Sequence, residues 1–529
     1  MKDEKRIHMP KTEQSAFYFP GIGKHVNDNA VLFAIDNGLL PFRKNLCLYY
    51  TKPKVHHEPV IRPSEQVNAP DASAAMFYGT VLFDEGKYRI WYCGLSLGLN
   101  PDMPIEDLNA AKASNLDVVV MGPICYAESE DGIHWVKPNL RQLQFKGSMD
   151  NNALNLPDAI VHCPTIIKDE DDPDPNRRYK MVYQYFLHTD HAQGWGTMRT
   201  ATSPNGIDWV AGPREKVFEF VEHAAFYKFN DLYIVNTHKN SHWNRGEGGS
   251  HSGRQGYVFI SSDFENWLEE SAESFALPEP HDPKQRGVYK SYDQMHLGTA
   301  AAVYNTTAIG LYCMWHNNED FSKISGDLGI VVSNDGIRFH EPYKGHIYLG
   351  KEDSPVTPIA NKHFPTVLLQ SNGFLNVGDE TRIYHGRWRN VGTFPYEEKT
   401  GYYGEIAFAS IPRDRWGALG LYPEEAKGSL WSVTMIVPDE DWELLLNAEG
   451  AQGMRVEISD EKFHLIPQFS GANSGFLELD NGFECPVTWP QGSLRKLAGQ
   501  SIRLRLHLER TNNSEPRIYA LYLKKTKKS

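Results

Sequence analysis

The chain has 529 residues, 40% of them hydrophobic. That is enough for a large core and too many for one ordinary domain, unless a repeat architecture takes most of the length. Lys and Arg number 54 against 67 Asp and Glu, a net charge of −13 that argues against a nucleic-acid partner. No run approaches ~20 apolar residues, which excludes a membrane-spanning helix.

Twelve Trp, 26 Tyr and 25 Phe favour β-strands and flat, sugar-like ligands. The start, MKDEKRIHMPKTEQ, has charge but no apolar run behind it. No signal peptide is visible, and the chain reads as cytoplasmic unless a leader was removed. The six cysteines (Cys47, Cys93, Cys125, Cys163, Cys313 and Cys485) are scattered without a CxxC pair, and read as buried thiols.

Residues 1–66 include VLFAIDNG and LCLYYTKP, a lead-in that either closes the following repeat or caps one end of it. A pattern then recurs: an apolar strand, a second strand with alternating aromatics, and a Ser-x-Asp-Gly-x-x-aromatic turn. The turns are SEDGIHW (ending at Trp135), SPNGIDW (Trp209), SSDFENW (Trp267), SNDGIRF (Phe339) and, more loosely, SIPRDRW (Trp416). Asp-Gly and Asn-Gly place each at a hairpin between strands. The second strands are KYRIWYCG, RRYKMVYQYF, DLYIVNTH, AIGLYCMWH and ETRIYHGRW. Five such units without helical periodicity predict an all-β, five-bladed β-propeller over residues 67–420. The alternative is two stacked sandwiches, which would not need equivalent turns. After LYPEEAKGSL the pattern changes to the strands WSVTMIV, WELLLNAEG, MRVEISD, IRLRLHLE and RIYALYLKK, a β-sandwich over residues 421–529.

The order of propeller, linker and sandwich with SxDGxxW hairpins resembles the five-bladed propeller glycosidases of the glycoside hydrolase family 32/43-like superfamily. These include invertase, fructan hydrolases, arabinanases and xylosidases. The stretches LLLNAEGAQGMRVEI, RKLAGQSIRLRLHLE and IYALYLK resemble the sandwich of bacterial family 32-like proteins. The WMNDPNG, RDP and EC signatures of invertase-type enzymes are absent, and HVNDNAV around Asp28 only echoes the first.

In the enzymes it resembles, three carboxylates project into a central funnel from the first strands of the first three blades. That resemblance implies Asp71 as nucleophile or general base, Asp158 as a sugar-binding or pKa-tuning group, and Glu222 as proton donor. Asp293 is the rival donor from the fourth blade. Asp71 is expected to line the funnel beside Asp293. The apolar neighbours Val221, Ala224, Ala225 and Phe226 are expected to raise the pKa of Glu222. Strand ends supply candidate substrate-binding groups: His162, His223, His238, His296, His316, Asp379, His385, Arg387 and Trp388. Each acid or His also has a plainer reading as a hydrogen-bonded structural group.

Several motifs carry no chemistry. GLSLG (94–98) lacks the α/β setting of a nucleophile elbow. KDEDDPDPNRR (168–178) lacks the glycine and terminal Glu of a calcium loop. HHEPV is not HExxH, so no metal or other cofactor is implied. GEGGSHSGRQG (246–256) reads as a loop at the funnel mouth. The expected activity is hydrolysis of a terminal sugar from an oligo- or polysaccharide. The alternatives are a propeller-type phosphorylase and a non-catalytic carbohydrate-binding propeller. The monosaccharide, the linkage and the oligomeric state are left open.

Overall fold

The computed structural model describes residues 15–113, 120–158, 160–185, 196–214, 221–239, 254–277, 293–316, 318, 320–391, 401–511 and 514–526. Most of the Gly-rich run 246–256 lies outside them. Strand dominates, with a single α-helix, Ile105–Ala113, among the described residues. No helix among them is long and apolar enough to cross a membrane. The six cysteines are free thiols, and all but Cys47 are buried.

Five antiparallel units follow one another along the chain. The first pairs Ala74–Asp84, Lys87–Leu97 and Ile124–Ser129. The second pairs Val161–Lys168, Tyr179–Tyr185, Thr197–Ser203 and Val210–Ala211. Glu222–Phe229, Leu232–Lys239, Gln255–Ser261 and Ala272–Phe275 form the third. Gln294–Val303, Ala308–His316, Ser325–Ser333 and Ile347–Leu349 form the fourth. In the fifth, Glu380–Arg389 pairs Val367–Leu369, Phe374–Val377 and Tyr403–Pro412. Its outer strand comes from the N-terminal region, because Lys54–Val55 pairs Ser410 and Ala409.

The Ser-x-Asp-Gly turns lie at the end of each unit's third strand. In the first, Ser129 Oγ accepts the Gly132 N–H, Asp131 Oδ1 accepts those of Ile133 and His134, and Trp135 Nε1 donates to the Gly132 carbonyl. The same bonds recur around Ser203 and Asn205, and all but the indole bond around Ser333 and Asp335, where Phe339 stands in the Trp position. The fourth residue of the turn has φ near +70°, which Gly132, Gly206 and Gly336 take without a Cβ penalty. Phe264 takes it in SSDFENW at φ 68°, its ring buried against Phe226 and Tyr233.

The first strands of successive units pack against one another from the first to the fourth. The fifth unit contributes Gln370–Asn372 to the middle of the assembly. Gln370 Nε2 donates to the carbonyls of His296 and Gly298, Ser371 Oγ to Gly79 or Ala224, and Asn372 Nδ2 to Phe226. Three consecutive polar residues thus satisfy backbone groups of the first, third and fourth units. The second strand Tyr179–Tyr185 is buried on both faces, as expected where sheets stack face to face.

Residues 17–50 pair with the C-terminal strands. Asn29–Phe33 lies along Arg517–Lys525, Leu46–Tyr50 along Gly417–Leu421, and Phe42–Lys44 along Lys427–Trp431. Ser501–Glu509 alternates between inward Ile502, Leu504, Leu506 and Leu508 and outward Ser501, Arg503, Arg505 and His507. Period-two alternation of this kind marks a sheet with one face on a core and one toward water.

Candidate functional site

In the first four units, the first strand loses register with the second near its start. The slips follow Met76, His162, His223 and His296. A bulge bends its strand and re-aims the side chains beside it. Here the bends are tight: a Cβ on Gly79 would lie 1.8 Å from the Trp91 carbonyl oxygen. Leu297 and Gly298 both take positive φ, 65° and 102°.

Glu222 opens the first strand of the third unit, opposite His238. His238 Nδ1 accepts the Leu297 N–H at 2.9 Å, which leaves the Nε2 edge toward Glu222 Oε2, 3.4 Å away. His296 Nδ1 accepts from Arg254 Nη1 at 2.8 Å, so its proton sits on Nε2, 3.2 Å from Tyr78 Oη. The His296 ring centre is 4.6 Å from that of Trp315, 6.0 Å from His238 and 6.4 Å from Trp388. Trp388 in turn lies 6.0 Å from Trp315 and 5.9 Å from Tyr402. The first, third, fourth and fifth units therefore meet in one cluster of a carboxyl, a guanidinium, two imidazoles and four aromatic rings.

The Glu222 side chain keeps one-fifth of its surface open, yet burial raises its pKa against the opposing pull of Arg254. A carboxyl shifted in this direction holds its proton to higher pH than an ordinary one, the direction a proton donor needs. Burial and then Arg254 push His296 well below the usual imidazole range, which keeps it neutral. Among the buried groups of the cluster, Trp388 Nε1 has no hydrogen-bond partner.

A second arrangement adjoins the start of the fourth unit. Asp293, its side chain 54% exposed, accepts from His316 Nδ1 at 2.9 Å, and His316 Nε2 donates to buried Asp327 at 2.7 Å. Lys351 Nζ closes the chain at 2.8 Å from Asp327. Burial would lower the His316 pKa, but the two carboxylates raise it to about 9, so an imidazolium stands between them.

The other candidate residues have partners of their own. Asp71 is fully buried, 2.6 Å from Lys137 Nζ and 2.9 Å from Tyr92 Oη. No hydrogen bond or ion pair joins it to Asp293 or Glu222 among the described residues. Asp158 is held by Tyr183 Oη and by Arg199 and Arg214. His223 Nε2 donates to the Val182 carbonyl at 3.1 Å. His162 is kept neutral by burial, with its pKa down to about 4. His385 and Arg387 both bond Ser354 Oγ, and Arg387 also reaches the carbonyls of His56 and His57. Arg387 thereby fastens the N-terminal segment to the fifth unit. Asp379 occupies the exposed turn at the opposite end of the strand from Trp388, about 30 Å away at ~3.3 Å per residue.

Tyr78, Arg254, Trp315 and Tyr402 belong to the cluster but were not singled out in the sequence. The available signal was placement: Trp315 directly precedes His316 at the end of a second strand, and Arg254 lies within the Gly-rich run just before the strand Gln255–Ser261. Two clefts lie away from Glu222, one of about 510 Å³ beside Arg415, Glu449 and Asp480 and one of about 230 Å³ beside Asp158. The cluster around Glu222 is distinguished by its chemistry. No group of three or more His, Cys, Asp or Glu arranged to hold a metal occurs among the described residues.

No family model matches the chain, and no curated protein matches it. Solved structures of similar shape include a glycosyl hydrolase from Bacteroides ovatus, at 14% identity over 69% of this chain and 95% of that one, TM-score 0.41. Another is an N-acetylgalactosamine deacetylase from F. plautii in complex with blood group B trisaccharide, at 12% identity over 70% and 96%, TM-score 0.41. A third comes from the GH130 family of mannoside phosphorylases, which contains glycoside hydrolases that target β-1,2 mannosidic linkages in Candida mannan. It is 13% identical over 69% of this chain and 94% of that one, TM-score 0.40. Likenesses at this level assign no activity to the chain.

Proposed function

We propose that the chain is a carbohydrate-active enzyme that cleaves a glycosidic bond, with a terminal sugar held at the cluster around Glu222. In this reading the five units, closed by Lys54–Val55, form a five-bladed propeller. The strands after residue 421, together with those of residues 17–50, form an ancillary β-sandwich. The contacts of Gln370–Asn372 with three other units support a closed ring.

The observation that carries the reading is a carboxyl set among aromatic rings and raised in pKa by burial. Trp315, Trp388 and Tyr78 offer faces for the C–H side of a sugar ring. Arg254 and the His238 ring offer polar contacts to hydroxyls. Glu222 passes its proton to the glycosidic oxygen as the bond breaks. Asp293, exposed and facing the His316 imidazolium, serves as the carboxylate that activates the incoming nucleophile. Asp71 and Asp158, neutralised by Lys137, Arg199 and Arg214, brace the first two blades from behind.

Glu222→Gln is expected to cut turnover roughly 10²–10⁴-fold, the usual worth of an acid–base catalyst. The loss shrinks on aryl glycosides with good leaving groups, which need little protonation. Unchanged turnover in Glu222→Gln, with loss confined to Asp293→Asn, would transfer the donor role to Asp293.

A phosphorylase is the second reading, favoured by Arg254, a cation beside the proton donor. Dependence of turnover on inorganic phosphate decides for it. Sugar binding without turnover decides for a non-catalytic propeller.

A further inference from the structure

The outward face of the C-terminal sheet carries side chains that neither its core nor the Glu222 cluster uses. Strand register lines them up in rows. One row runs Phe42, Trp431, Arg505, Glu457, and the next runs Lys44, Ser429, His507, Arg455, Phe476. Phe463, on the hairpin after Asp460, folds over the first row. Its ring centre is 5.4 Å from Phe42 and 5.2 Å from Trp431. Arg503 Cζ lies 4.4 Å from the Phe463 ring centre, and Arg505 Cζ 5.0 Å from that of Trp431. Phe42, Phe463 and Phe476 are 51%, 41% and 42% exposed. Large apolar side chains this open, and clustered, mark an interaction surface.

The charge of this face opposes that of the chain. Lys44, Lys427, Arg455, Arg503 and Arg505 point outward, against Glu457 and Glu509. Glu509 is neutralised by Lys427 at the rim, 2.8 Å away. Glu457 is buried and shared by Arg455, Arg505 and His507. At the hairpin, the Asp460 carboxylate is occupied by the N–H groups of Lys462 and His464, and exposed Glu461 lies near Arg503. A local excess of cations therefore sits on a chain of net charge −13.

We propose that this face is a second carbohydrate-binding site, and that its ligand is an acidic polysaccharide of the polyuronate type. Rings accept the apolar faces of sugars, and guanidinium groups interleaved with them pair with carboxylates bidentately. A nucleic acid would also meet rings and cations. Its charge is far denser, though, about one per 1.7 Å of duplex, and the −13 charge of the whole chain repels it more strongly than a polymer with one charge per sugar. The inference stands apart from the Glu222 cluster.

The test is affinity electrophoresis of the full chain in gels containing polygalacturonate, dextran or oligothymidylate. Retardation is expected in polygalacturonate alone and should weaken as salt rises. Phe463→Ser and Trp431→Ala should each weaken it by roughly tenfold, and Arg503→Ser should do so while Arg503→Lys keeps part of it. Glu222→Gln should bind as the parent does, which separates this site from the Glu222 cluster. Equal retardation by dextran, tighter binding of oligothymidylate, or unchanged binding in all three loss variants would overturn the proposal. So would a dimer in solution that Phe42→Ser dissociates, since a second copy would then cover the face.

Discussion

Tyr384 Oη, in the fifth unit, donates to the carbonyl oxygen of Gly132, in the turn of the first, at 2.8 Å. The bond is one of a series. Trp91 Nε1 of the first unit donates to Gly206 of the second, and Tyr227 Oη of the third to Gly336 of the fourth. An aromatic donor in one unit thus caps the turn glycine of the next, and Tyr384 extends the order from the last unit back to the first. Tyr384→Phe removes only the hydroxyl, so about 1 kcal/mol of stability should be lost. The urea midpoint should fall with the slope unchanged; an unchanged midpoint would leave the bond without energetic weight.

Gly79 sits in the bulge of the first unit, where any Cβ meets the Trp91 backbone at 1.8 Å. A backbone cannot swing aside as a flexible side chain can. Gly79→Ala should therefore cost roughly 3 kcal/mol or more, whereas Gly86→Ala, with open space around it, should cost only its φ of 80°. Comparable thermal midpoints for the two variants would contradict the strain.

His316 links stability to alkaline pH. Its pKa in the fold, about 9, lies above the ordinary 6.5 because Asp293 and Asp327 outweigh burial. Stability from this group is complete below pH 6.5 and lost as pH rises through about 9, on the order of 2–3 kcal/mol in all. Denaturation curves from pH 6 to 10 should show the decline, and His316→Gln should flatten it.

Four other imidazoles act at the acid end. Burial holds His162 and His223 at about 4, His385 at about 3, and His296 well below its usual range. The unfolded chain binds protons there that the fold refuses. Their contribution is present above pH 6.5 and lost as pH falls toward 4. Unfolding near pH 5 should take up as many as about four protons through these rings, measurable from the pH dependence of the free energy. An uptake below one would mean the rings titrate freely.

The repeat was readable because Ser-x-Asp-Gly turns are made by local bonds: the Ser129, Asp131 and Trp135 bonds that shape the turn all close within that segment. Glu222, His238, His296 and Trp388 were likewise legible as strand-end residues, since strand starts and ends set which groups meet. What could not be read were partners distant in the chain. Lys137 lies against Asp71, and Arg199 and Arg214 against Asp158, pairings that nothing beside those acids in the sequence announces. His385 and Arg387 have the right position but face a segment some 330 residues earlier. Strand pairing leaves no local mark, so the assignment of residues 17–50 to the C-terminal strands had no signature in sequence.

The pairing of Asn29–Phe33 with Arg517–Lys525 also sets a timetable for biosynthesis. The early strand emerges from the ribosome almost 490 residues before its partner exists, a wait of roughly 25–100 s at about 5–20 residues per second. Throughout that interval Leu32 and Phe33, buried in the finished fold, stay without their cover. Completion of the C-terminal sheet waits for residues 517–525, and a nascent chain halted before residue 517 is left with an uncovered β-edge along residues 29–33.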